Sequence, residues 1–375
     1  MLEILHLNDT ELAYCLAINK LYPSSSKVRK IIKLLDIYGS FGNIWQLNHN
    51  ELASNMLFSE KFVRNYTIAK NNINPEGLLK QHFQENNHIY HYFNQDYPNQ
   101  LRQIHNPPLI LFCNRPIIQT DFDNTLAIVG TRQPSNYGQN MAKLFAQDLI
   151  AHNLTIVSGM ANGIDSICHK CVIDNQGKTI GVLGNSLNIC YPANQIALYR
   201  QMLTSQLLIS EYPLTTLPKP FQFPERNRII AGLAMGTLVI EAPAKSGSLI
   251  TAKLAFEQNR QVFAVPGNVD NDLATGTNLL IAKNIAKLVN SARDILEELN
   301  MEMNIQSAKI SGINHLNLSS EELEVLNCLN DQALHFDSLC HKLGLNSAKL
   351  ASLLTILEIN GFVDKLPGNN YQIHN

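Results

Sequence analysis

Little of this chain is charged. Lys, Arg, Asp and Glu make up 16% of its 375 residues, and 29 basic against 31 acidic side chains leave a net charge of -2. A polybasic nucleic-acid binder of the histone kind is therefore excluded. A local basic groove is not, because potential follows how charge is distributed over a surface and not its sum. Long apolar runs are missing too. Asn, Gln, Ser or Lys interrupts every stretch before the ~20 residues that a bilayer span needs. Met1-Leu2-Glu3-Ile4 lacks the basic-then-apolar order of a secretory signal. The seven cysteines are scattered and odd in number, which argues against a disulfide framework and for a reducing cytoplasm. Hydrophobic residues, by contrast, make up 45%, so wholesale disorder is excluded and the length suits two or three domains.

Several chemical signatures are also absent. Gly130 has no second glycine at dinucleotide-fingerprint spacing, and Lys245 does not follow the glycine-rich stretch of a Walker loop. There is no His-Glu-x-x-His pair and no Gly-x-Ser-x-Gly elbow. Cys168 and Cys171 stand alone at C-x-x-C spacing within a predicted helix, so two small core residues are expected there and no metal site. His169 between them reads equally as packed or capping and as functional. No cofactor is called for.

Residues 1–78 read as helical, with apolar positions such as Val28, Ile31, Ile32 and Leu35 at helical spacing. Gly39 is a predicted helix stop and Ser40 a predicted cap. The cluster Lys27, Arg29, Lys30 and Lys33 reads as a solvated helix face. Two short strands are expected within 79–125. From about 126 to 300 the texture changes. Six β-branched runs, 126–129, 154–157, 179–183, 207–209, 238–240 and 262–265, alternate with helical patterns. That alternation predicts an α/β domain, a parallel sheet with helices on both faces. Such sheets bind ligands beyond the carboxyl ends of their strands. Three predicted helices and a hairpin within 316–375 suggest a winged helix-turn-helix, with Ser319 and Glu322 as a capping box and Gly361 closing the third helix. The expected boundaries are 1–78, 79–300, a linker over 301–315, and 316–375.

The strand ends gather anion-binding groups. Gly130-Thr131-Arg132 follows the first run, and Ser158-Gly159-Met160-Ala161-Asn162-Gly163-Ile164-Asp165 the second. Asp165 reads as a residue favouring a helix start. Phe221-Gln222-Phe223-Pro224-Glu225-Arg226-Asn227-Arg228 puts two arginines and an asparagine at the start of a helix that disfavours cations. An external polyanion accounts for Arg226 and Arg228, and so would internal carboxylates such as Glu211 or Glu241. Lys245-Ser246-Gly247-Ser248 precedes another helix and makes a phosphate cradle.

These segments, with Val262-Phe263-Ala264-Val265-Pro266-Gly267, follow one another in the order of a known family. The chain resembles the DNA-processing protein A family (DprA, also called Smf). The resemblance implies an extended Rossmann-like domain that binds single-stranded DNA, flanked by a SAM-like helical module and the winged helix. It further implies a homodimer that delivers DNA to the RecA recombinase during natural transformation, with no catalytic activity and no membrane association. Arg132 would be the family's strand-end arginine. Lys245, Ser246, Gly247 and Ser248 would line its phosphate pocket, beside Arg226 and Arg228. Family members usually carry arginine where Asn162 stands and often a basic residue where Glu225 stands. Pro23-Ser24-Ser25-Ser26 replaces a Gly-x-Gly hairpin.

The expected mechanism is electrostatic. Gly130, Thr131, Arg132, Asn227 and the 245–248 loop hold phosphates, and Lys219, Phe221 and Phe223 grip the strand, with aromatic stacking at about 1–3 kcal/mol per base. The rival reading is a nucleotide-processing enzyme of the phosphoribohydrolase kind. Its P-G-G-x-G-T-x-x-E motif is represented here only by Met235-Gly236-Thr237-Leu238-Val239-Ile240-Glu241.

Overall fold

The computed structural model describes residues 7–21, 27–55, 57–85, 87–301, 320–329, 333–359 and 362–373. The chain divides into two compact units, Met1–Ile305 and Gln306–Asn375. The expected capping residue Ser319, the stop Gly361, the loop Pro23–Ser26 and nearly all of the 301–315 linker lie outside the described residues. No helix among the described residues is long and apolar enough to cross a membrane.

Among the described residues, nine strands form the sheet of the first unit: β1 (His88–His91), β2 (Ile110–Cys113), β3 (Thr125–Val129), β4 (Thr155–Ser158), β5 (Thr179–Leu183), β6 (Leu207–Ser210), β7 (Gly236–Val239), β8 (Gln261–Ala264) and β9 (Lys287–Leu288). Their spatial order is β1-β2-β6-β5-β4-β3-β7-β8-β9. Strands β3 to β9 are parallel, as the alternating pattern predicts. The two connector strands add an antiparallel edge: β2 pairs with β6, and β1 with β2.

Strand β3 is buried along its whole length and alternates between two cores. Leu126 and Ile128 face one with Phe145, Leu149 and Val172 from the helices Asn136–Ala151 and Ile164–Asp174. Ala127 and Val129 face the other with Ile229, Ile230 and Ala252 from the helices Gln222–Leu233 and Gly247–Glu257. This is the period of two expected of a strand sandwiched between helix layers. The chain steps from β3 to β4, β5 and β6 on one side, then returns to β7, β8 and β9 on the other. The reversal opens a crevice at the carboxyl ends of β3, β4 and β7, where such sheets take ligands.

The helix Pro75–Gln84 runs across the expected boundary at 78, with Asn74 as its cap. Its residues Leu78 and Leu79 share one core with Ile110 and Phe112 of β2, and His82 stacks on Phe112 at 4.4 Å. The N-terminal helices and the sheet therefore belong to one compact unit. The helix expected to start around the two arginines begins a turn earlier, at Gln222. Pro224 sits in its first turn, where the N–H that proline lacks has no intrahelical partner in any case. Gly39, at φ +80, and Ser40, which accepts from Asn43 N, end and start helices as expected.

In the second unit three helices, Ser320–Leu329, Phe336–Leu343 and Ser347–Ile359, pack Leu326, Leu339, Leu350, Leu354 and Leu357 against Val363 and Tyr371. Strands Val363–Leu366 and Asn370–Ile373 form the expected hairpin, with a short third strand at Leu334–His335.

Candidate nucleic-acid interface

The turn after β3 is fixed by the backbone. Thr131 N donates to Glu241 O at 2.7 Å, and Thr131 O accepts from Ile164 N at 3.2 Å. Gly163 makes the second contact possible: its φ is +81, and a Cβ there would sit 2.3 Å from Thr131 O. The following side chain, Arg132, is exposed and makes no ion pair or hydrogen bond among the described residues.

Arg226 reaches the same region from the helix Gln222–Leu233. It is 4% exposed, and its Nη1 donates to Gly159 O at 2.7 Å and to Val182 O. Asp165 lies beside it and accepts from Gly159 N at 3.2 Å and Ala161 N at 3.4 Å. Burial pushes the Asp165 carboxyl up to about 6, against the pull of Arg226 and those amides. Burial likewise lowers Arg226 to about 10, with Asp165 acting in the opposite direction. Asp165 thus does more than favour a helix start: it folds the 159–161 loop back and supplies a buried countercharge.

The cradle of the third segment is the N-terminus of the helix Gly247–Glu257. Ser246 caps it, accepting from Ser248 N, and its hydroxyl lies 2.7 Å from that of Ser248. Lys245 is exposed and makes no ion pair among the described residues. Asn227 ties the two helices together, with its Oδ1 3.2 Å from Arg226 Nε and its Nδ2 3.4 Å from Gly247 O.

Together these groups line one pocket of about 290 Å³. Ten of the expected residues meet there: Gly130, Thr131, Arg132, Phe223, Arg226, Asn227, Lys245, Ser246, Gly247 and Ser248. Two do not. Lys219 is exposed on the preceding loop, outside the lining, as is Phe221. Arg228 is buried, and its guanidinium donates to Glu211, Asn106 O and Glu225 O, so its charge is answered inside the protein. Glu241, the other expected carboxylate partner, takes both the amide and the hydroxyl of Ser135 instead and so holds the start of the helix Asn136–Ala151. Among the described residues, Asp165 is the only carboxylate lining the pocket. Cys168 and Cys171 are buried against the helix Asn136–Ala151, with sulfurs near Ala142 O and Lys143 O. No group of side chains suited to a metal occurs among the described residues.

Known proteins share this architecture. Residues 88–300 match the family model of DNA recombination-mediator protein A, and residues 315–369 that of the DprA winged helix domain. Protein Smf of Synechocystis is 32% identical over 364 residues, covering 88% of this chain and 91% of its own length. The X-ray structure of DNA processing protein A from Streptococcus pneumoniae superposes with a TM-score of 0.67 at 30% identity, covering 80% of this chain and 100% of that one. A Helicobacter pylori DNA processing protein A structure, described for its single-stranded DNA binding mode, gives a TM-score of 0.52 at 27% identity and covers 57% of this chain and 95% of that one.

Proposed function

Because the chain belongs to the DNA recombination-mediator protein A family (DprA/Smf), a family of DNA-processing proteins, we propose that it binds single-stranded DNA at the β3–β4–β7 crevice without strong sequence preference. We further propose that it loads RecA recombinase on that strand during natural transformation. The observation that carries the reading is that two exposed cations with no ion pair among the described residues, Arg132 and Lys245, line one pocket with the capped helix N-terminus at Ser246–Ser248. A phosphate there meets two positive side chains and the positive end of a helix dipole. Phe223 lines the same pocket with its ring stacked on Tyr191, and Lys219 can extend the cationic track from its exposed loop. Phosphate contacts carry no base information, so selectivity among sequences stays slight.

The role proposed is binding and not catalysis. The only carboxylate among the described residues that line the pocket, Asp165, is buried and held by two backbone amides, and Glu241 is engaged with Ser135. A nucleotide-hydrolysing relative would need such an acid facing its substrate. With a net charge of only -2, a single site binds modestly, and a homodimer in the cytoplasm would gain affinity by engaging one strand twice.

Fluorescence anisotropy with labelled oligonucleotides tests the groove. Arg132→Ala and Lys245→Glu weaken single-strand binding at unchanged melting temperature. Wild-type affinity in both variants would remove the assignment. RecA filament assembly on the same oligonucleotide, with and without the protein, tests the loading role.

A further inference from the structure

A polar bond joins the N-terminal helices to the loop that carries Lys219. His82, on the helix Pro75–Gln84, is fully buried. Its ring stacks on Phe112 of β2 with planes 12° apart, and its Nε2 accepts from Leu214 N at 3.4 Å. A neutral imidazole that accepts at Nε2 carries its proton on Nδ1. That Nδ1 finds no hydrogen-bond partner among the described residues. Burial, with Lys20 adding to it, lowers His82 to about 4, so the ring is neutral at pH 7. A phenyl ring would fill the same space and stack in the same way without burying an unpaired donor, which is costly. What histidine adds at this position is the acceptor for Leu214.

Leu214 belongs to a short braced turn. Pro213 and Leu214 are buried, and Thr216 returns to Pro213 O through its amide at 3.2 Å and its hydroxyl at 2.6 Å. Thr215 takes a left-handed backbone, φ +67, and its amide donates to Asn188 Oδ1 at 3.3 Å. Thr216 O accepts from Ser186 N at 3.2 Å and from Ser186 Oγ at 3.1 Å. Ser186 and Asn188 lie on the loop after β5, so the turn is held by that loop on one side and by the N-terminal helices on the other. Three residues further on, Lys219 is exposed, while its backbone is closed onto the next helix. Its amide donates to Gln222 Oε1 at 2.6 Å, and its carbonyl accepts from Gln222 N at 3.0 Å. The place of the cation therefore follows the place of the turn.

We propose that His82 is a positioning residue for single-strand binding: through Leu214 N it fixes the 213–216 turn, and the turn sets where Lys219 meets a phosphate. This rests on the reading of the crevice as a single-strand groove that Lys219 extends. It gives the N-terminal helices a task in binding without any contact of their own to the strand.

The test uses the full-length chain and compares wild type with His82→Phe, His82→Leu, Lys219→Ala, the double variant His82→Phe with Lys219→Ala, and Arg132→Ala. Affinity for a 20-mer of thymidine is measured across a salt series. Hydrogen exchange at the Leu214 amide reads the bond itself, and circular dichroism verifies that each variant is folded. His82→Leu keeps the test open should the phenylalanine variant not fold. Lys219→Ala flattens the slope of log affinity against log salt by about 0.7, the contribution of one phosphate. The two apolar variants at 82 speed exchange at Leu214 and flatten the slope by up to the same amount, and the double variant is no flatter than Lys219→Ala alone. A merely structural His82 would lower the melting temperature and leave the slope of the folded protein as in wild type. That result, or an additive loss in the double variant, overturns the inference. If Lys219→Ala binds like wild type while Arg132→Ala is weakened, the inference fails and the groove stands. If neither is weakened, the groove reading fails and the inference with it.

Discussion

Nη2 of Arg228 lies 2.7 and 2.8 Å from the two carboxylate oxygens of Glu211, and both side chains are more than nine-tenths buried. Two residues earlier, Arg226 turns to the loop after β4 and lines the pocket. Neighbouring arginines on one helix therefore have separate tasks, one in the internal scaffold and one at the floor of the site. Removing one partner of a buried ion pair leaves an uncompensated charge and costs about 3–5 kcal/mol. Arg228→Met is expected to lower the urea midpoint accordingly, while the folded fraction keeps its oligonucleotide affinity within about twofold. A large affinity loss at unchanged stability would return Arg228 to the groove.

Glycine substitutions separate scaffold from ligand contact in the same way. Gly163 sits at φ +81 against Thr131 O, whereas a Cβ at Gly247 meets nothing within 4 Å. Gly163→Ala is expected to cost at least about 1–3 kcal/mol and to displace the turn carrying Arg132. Gly247→Ala keeps the melting temperature, and any effect it has is on binding. Thermal unfolding of the two variants checks the contrast.

The pH dependence of stability follows from three buried groups. Burial lowers His82 to about 4 and His169 to about 3, from an ordinary value of 6.5. The unfolded chain then binds protons that the native state refuses, so both histidines cost stability as pH falls below about 6.5. Asp165 acts oppositely. Its carboxyl is raised from 3.8 to about 6, so the native state binds the extra proton, and its contribution is present at low pH and lost as pH rises through 6. The expected net result is falling stability from pH 6.5 towards 4, with a steeper fall in Asp165→Asn, which lacks the opposing contribution. Urea midpoints at pH 7, 6 and 5 check this, and equal slopes in the two proteins would contradict it.

Much of the site was legible before the fold was known. Alternating β-branched runs and helical stripes imply a parallel sheet, and a parallel sheet fixes which strand ends can carry a ligand. Gly130-Thr131-Arg132 and Lys245–Ser248 could be assigned to one edge on that ground alone. What eluded sequence reading was the destination of each charge. Arg226 and Arg228 look equivalent in a string of letters, and only the position of Glu211 at the end of β6 separates them. Glu241 reads as a candidate arginine partner until Ser135 is found beside it. The helix start at Gln222 was hidden because Phe223 and Pro224 resemble a loop, although a proline in the first helical turn costs no hydrogen bond. Tyr191 belongs to no local pattern. Its ring stacks on Phe223, which the fold brings to it from 32 residues along the chain.

The central claim is that a few uncompensated cations, and not overall charge, hold a single strand by its phosphates. The salt dependence of oligonucleotide binding tests it most directly. Each phosphate neutralised on a single strand adds about 0.7 to the slope of log affinity against log salt. The account predicts that the double variant Arg132→Ala with Lys245→Ala flattens the wild-type slope by about 1.4, the contribution of two phosphates, with the melting temperature unchanged. An unaltered slope and affinity in that variant would contradict it.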